Sequence, residues 1–183
     1  LDLGEAMASM VRAFVDTANE GNVALAELGV LNHLRLRYGR LPIDVYDRAF
    51  ELFVQQLAEV RMVFEPMVKL GRHPLNLGII GWEAPAALFE TAAVWGDRFV
   101  IELDSVLADR AIERYVRAWR ASGLRNAMAP LSVNVSPRSI WSDAYIEQLI
   151  ASMERNGLDE GGLTLELSEK EPIVLIGNDL RVD

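Results

Sequence analysis

Hydrophobic positions along the chain change their period near residue 61. Before that point apolar residues recur at spacings of three and four. Met7, Met10, Val11, Phe14 and Val15 form one such stripe, and Leu25, Leu28, Leu31 and Leu34 form a second that stops near Gly39. These spacings place side chains on one face of a helix, so both stretches predict amphipathic helices. Gly39 suits a helix end, because glycine enters the left-handed conformation found there without strain. Pro42 then punctuates the chain and Asp44 is placed to cap a third helix. Phe50, Phe53, Val54, Leu57 and Val60 supply its apolar stripe. Residues 1–60 are expected to be an all-helical segment, regulatory or connecting in role.

From Met62 the pattern shortens. Residues 62–68 and 75–82 read as strands, with Gly71-Arg72-His73-Pro74 as a hairpin turn between them. Helical patterns follow over residues 86–95 and 103–122, the second ended by Gly123. Residues 131–135 predict a third strand, 142–156 a helix, and 163–167 a fourth strand. Strands alternating with helices of this length imply βαβ units, hence a parallel sheet or barrel over residues 61–183.

Composition narrows the classes of function. Of 183 residues, 51% are hydrophobic and 25% charged, as in folded and not disordered chains. Lys and Arg number 18 against 27 Asp and Glu, a net charge of −9. That balance opposes duplex nucleic acid binding through phosphate neutralisation. A small phosphorylated ligand stays compatible with it when a metal ion supplies the positive charge. The absence of cysteine excludes disulfides, thiolate zinc sites and a Cys nucleophile, and suits a reducing cytoplasm. No apolar run approaches the about 18 residues of a membrane helix, so no membrane segment is expected. The chain begins at Leu1 and is expected to be part of a longer protein.

Three predicted strands carry polar residues at or near their ends: Glu83, Asn134 and Glu166. In a parallel barrel the C-terminal strand ends face one common site. Two carboxylates and an amide oxygen are hard ligands, suited to Mg²⁺ or Mn²⁺ and not to a soft metal. Polar residues at strand ends also serve as caps and loop anchors, and the pattern alone leaves both readings open. Glu102, Asp104 and Asp109 read as charges on an ordinary helix face.

The local sequences point further. Phe64-Glu65-Pro66-Met67-Val68, Gly81-Trp82-Glu83-Ala84, Leu131-Ser132-Val133-Asn134-Val135-Ser136-Pro137-Arg138 and Leu163-Thr164-Leu165-Glu166-Leu167-Ser168-Glu169 resemble, in their order, the EAL domain, the bacterial cyclic di-GMP phosphodiesterase family. The spacing between Asn134 and Glu166 matches as well. Leu88-Phe89-Glu90-Thr91-Ala92-Ala93, followed by Ile101-Glu102-Leu103-Asp104, is similar to that family's first helical crossover. The resemblance covers residues 61–183. It implies a modified TIM (β/α)₈ barrel, partial in this sequence, with an antiparallel first strand. It also implies a homodimer and metal-dependent hydrolysis of cyclic di-GMP to linear pGpG. Glu83, Asn134 and Glu166 match the family's metal ligands, and Asp183 matches the first aspartate of a later metal-binding motif. Glu169 matches a glutamate that holds the loop beside the metal, and Glu65 falls at a position near the guanine. Arg138, following Pro137 after the third strand, is placed either to reach a phosphate or to stand as a solvated surface arginine.

The sequence also departs from the family. Pro85 replaces the leucine of the signature, Ala87 stands where an arginine is common, and Glu65 replaces a common glutamine. The stretches after Glu83 and Glu169 are shorter than the family's loops, which implies that loops are left out of this sequence. These departures carry an alternative expectation, a catalytically inactive EAL-like domain acting as a cyclic di-GMP receptor or a protein-interaction module.

Overall fold

A computed structural model describes residues 22–68, 76–83, 86–123, 129–167, 173–176 and 179–182, together with residues 8, 11, 12, 14–16 and 18. For residues 64–68, 76–83, 86, 87, 160, 173–176 and 179–182 it describes the backbone alone. The chain divides into two compact units, one of residues 1–60 and 84–99, the other of residues 61–83 and 100–183.

The first unit is helical. Its described residues before Asn22 are helical, but Val11 and Val15 face solvent, so that part of the expected apolar stripe is not buried. Helix α1 (Val23–Tyr38) starts where the Asn22 side chain accepts the Leu25 N–H at 2.9 Å. It ends at Gly39, whose N–H donates to the Arg35 carbonyl at 2.9 Å and whose φ of 72° turns the chain out of the helix. Helix α2 (Ile43–Leu57) begins after Pro42 without a side-chain cap. Asp44 lies in its first turn, where its charge meets the positive helix end, instead of at the expected capping position. Arg48 donates to both Glu27 oxygens, at 2.9 and 2.8 Å, joining α2 to α1. That hydrogen bond, with the Arg48 charge, holds the Glu27 carboxyl below the usual carboxylate value against the opposing effect of burial.

Helix α3 (Ala86–Trp95) and the start of α4 (Asp97–Ser122) close this unit. The Phe99 ring is fully buried and meets Tyr46, Phe50, Phe53 and Trp95 at centroid distances of 5.0 to 5.5 Å. Asn32 donates to Thr91 Oγ1 at 2.8 Å and accepts the Trp95 indole N–H at 2.6 Å, so its polar group is satisfied inside the packing.

The second unit holds the strands. β1 (Arg61–Val68) and β2 (Asn76–Glu83) form the expected antiparallel hairpin, from Arg61↔Glu83 to Val68↔Asn76. β3 (Leu131–Val135) is followed by α5 (Pro137–Ile140), α6 (Asp143–Asn156) and β4 (Leu163–Leu167). β3 and β4 pair in parallel, in register from Leu131↔Leu163 to Val135↔Leu167. Leu131, Val133 and Val135 point into a core made by Ala108, Ala111, Ile112, Tyr115 and Val116 of α4 and Tyr145 and Leu149 of α6. β5 (Ile173–Ile176) and β6 (Asp179–Val182) form a second antiparallel hairpin.

The (β/α)₈ barrel implied by the resemblance is not the fold. The molecule is mainly helical, and its described strands form three separate two-stranded sheets, of which one is parallel. Connection lengths account for this. A parallel neighbour needs a crossover of about a dozen residues or more. Residues 69–75 and 177–178 are too short for one, so both hairpins are antiparallel. α5 and α6 are long enough together to return β4 beside β3. β2 passes close to β3 but forms no ladder with it among the described residues. No described helix is long and apolar enough to cross a membrane.

Candidate functional site

The β3–β4 pair sends alternate side chains to opposite faces. One face enters the core with Leu131, Val133 and Val135. The other carries Ser132 and Asn134 from β3, with Thr164 and Glu166 from β4. Asn134 and Glu166 are register partners, so an amide and a carboxylate stand side by side across a strand spacing of about 4.8 Å. Asn134 is exposed and Glu166 half-buried. Ser132 is buried, and its hydroxyl donates to Glu166 Oε1. That bond fixes one oxygen of the carboxylate on the strand surface and limits its rotation.

The turn that leaves β3 is anchored from a distant helix. Asp104, on α4, is buried and accepts two hydrogen bonds at Oδ2. One comes from the Ser136 N–H at 2.8 Å and the other from the Ser139 hydroxyl at 2.6 Å. Ser136 in turn caps α5, its Oγ accepting the Arg138 N–H at 3.2 Å. Tyr145 packs below, fully buried. Burial, with the Asp104 charge as a smaller cause, pushes the Tyr145 phenol above the ordinary tyrosine value. Its hydroxyl has no hydrogen-bond partner among the described residues.

Asp104 is therefore not the surface helix charge that the sequence suggested. The available signal was its place within an apolar stripe of Val100, Leu103, Leu107, Ala108 and Ala111. A carboxylate in such a stripe has to be hydrogen-bonded once buried. Asp109 keeps the expected place on a partly exposed helix face. It accepts the Ser152 hydroxyl and pairs with Arg155, which ties α6 to α4.

Of the residues that the sequence singled out, Asn134 and Glu166 stand together, and Arg138 lies half-buried on α5 just beyond β3. Glu83 ends β2 opposite Arg61, and Glu65 stands in β1 opposite Ile80. The side chains of Glu83, Glu65 and Ala87, and the whole of Pro85, Glu169 and Asp183, lie outside the described residues. Among the described residues no three His, Cys, Asp or Glu side chains gather as a metal cage. Asn134 and Glu166 still suit Mg²⁺ or Mn²⁺, since such ions keep several waters and accept one or two protein oxygens. No protein-family model matches this sequence, and no curated protein matches it.

Proposed function

We propose that the outer face of β3–β4 binds Mg²⁺ or Mn²⁺ through the Asn134 amide oxygen and the Glu166 carboxylate, and that the protein hydrolyses cyclic di-GMP to linear pGpG there. The observation that supports this is the in-register pairing of the two oxygen donors on one solvent-facing side of a parallel strand pair. The motif resemblance supplies the substrate, and nothing in the reading requires a barrel.

A divalent cation at this face lowers the pKa of a nearby water and offsets phosphate charge, which a chain of net charge −9 otherwise repels. Glu166 contributes the negative ligand, oriented by Ser132. Asn134 contributes oxygen without adding charge that would oppose the phosphate. Arg138, on the turn beyond β3, offers a guanidinium for a phosphate oxygen. Hydrolysis adds one water across one of the two phosphodiesters. The phosphorus keeps the new oxygen, and the ribose 3′ oxygen leaves with a proton. The resemblance adds Glu83 and Asp183 as further ligands, Glu169 beside them, Glu65 towards a guanine and a homodimeric state, and the absence of cysteine suits a cytoplasmic location.

The departures at Pro85, Ala87 and Glu65 favour a second reading, a receptor that binds cyclic di-GMP without turning it over. Both readings place a cation on Asn134 and Glu166. Titration with Mn²⁺, followed by electron paramagnetic resonance of the free ion, tests that placement. Uptake by the unsubstituted chain is expected to weaken by about tenfold or more in Asn134→Ala and in Glu166→Gln. Equal uptake by all three proteins would overturn it.

A further inference from the structure

Building on the reading of the β3–β4 face as a cation site, we propose that Asp104 is its positioning residue: one buried carboxylate oxygen holds the turn after β3 and so sets where Asn134 and Arg138 stand. Asp104 reaches this turn from α4, 32 residues before Ser136 and 35 before Ser139. Both hydrogen bonds end on the same oxygen, Oδ2. That atom joins the residue leaving the strand to the helix that follows it.

Ser136 lies two residues beyond Asn134, and Arg138 lies between the two anchored serines. α5 has four residues, too few to hold its own direction by helical hydrogen bonding. Its orientation, and with it the start of the Arg138 side chain, depends on these anchors. Hydrogen bonds to an ionised carboxylate are shorter and roughly twice as strong as neutral ones, so they resist displacement when a ligand pulls on the turn. The buried position excludes water that would compete for the same donors. Asp104 touches neither the proposed cation nor the substrate, and acts on the site through Ser136 and Ser139.

The test compares the full chain with Asp104→Ala, Asp104→Asn and Ser139→Ala by three readouts: amide hydrogen exchange at Ser136, the backbone resonance of Asn134, and Mn²⁺ affinity. In Asp104→Ala, Ser136 protection is expected to fall at least tenfold, the Asn134 resonance to move, and Mn²⁺ affinity to drop about tenfold. Asp104→Asn keeps an acceptor and is expected to restore affinity to within about threefold of the unsubstituted chain. Ser139→Ala, which removes one bond and leaves the carboxylate, is expected to fall between them and serves if Asp104→Ala does not fold. Lost Ser136 protection with unchanged Mn²⁺ affinity would overturn the positioning role. If the unsubstituted chain takes up no Mn²⁺, the cation reading fails, and an unmoved Asn134 resonance would separately show that Asp104 does not place it.

Discussion

Tyr145 places a phenol in the core with no partner for its hydroxyl among the described residues, beside the Asp104 charge. An unsatisfied buried hydroxyl costs about 1–3 kcal/mol. Tyr145→Phe is therefore expected to raise stability by about 1 kcal/mol in urea unfolding at pH 8. The pH dependence has a definite sign. The folded phenol titrates above its ordinary value of about 10, so its contribution is whole below that pH and is lost as pH rises further. The unsubstituted chain should lose stability between pH 10 and 11 more steeply than Tyr145→Phe, and equal slopes would show that the phenol is not shielded. Ser132→Ala removes the restraint on Glu166 and is expected to cost about 1 kcal/mol, with weaker Mn²⁺ uptake. Unchanged uptake in that variant would mean that the carboxylate needs no brace. At this scale the sequence showed Asn134 and Glu166, because a polar residue inside an apolar strand is conspicuous. It hid Asp104, because a charge on a helix looks exposed until it is set against the stripe that contains it.

Individual elements followed the periodicity closely. The second and third helical stripes, the first hairpin and the βαβ unit all occur where the pattern placed them, since each depends on neighbours within a few residues. Which strand lies beside which was less legible. Ladders are decided by connection length and by the faces that helices cover, and local motifs carry neither. Two substitutions test the packing of elements. Phe99→Ala empties the centre of the aromatic cluster and is expected to cost about 3–5 kcal/mol, measured as a lowered midpoint of thermal unfolding. Gly157 ends α6 at φ 66°, and a Cβ there would lie 3.3 Å from the Arg120 guanidinium. Gly157→Ala should therefore cost about 1 kcal/mol, and a neutral result would show that the turn relaxes.

For the whole molecule, the barrel that the resemblance implied is not the architecture found. The motif 131–138 does form a strand, a capped turn and a short helix, and 163–167 does pair beside it. A barrel requires every strand to ladder on both sides, and the described strands each ladder on one. The proposed function therefore rests on a single strand pair with two oxygen donors, on a chain of net charge −9. Product analysis tests it most directly. The chain and its Glu166→Gln variant are incubated with cyclic di-GMP and Mg²⁺ or Mn²⁺, and the nucleotides are separated by chromatography. Linear pGpG from the unsubstituted chain alone is the expected result. Saturable nucleotide binding without product would replace hydrolysis by a receptor role, and neither product nor binding would contradict the assignment of this face to cyclic di-GMP.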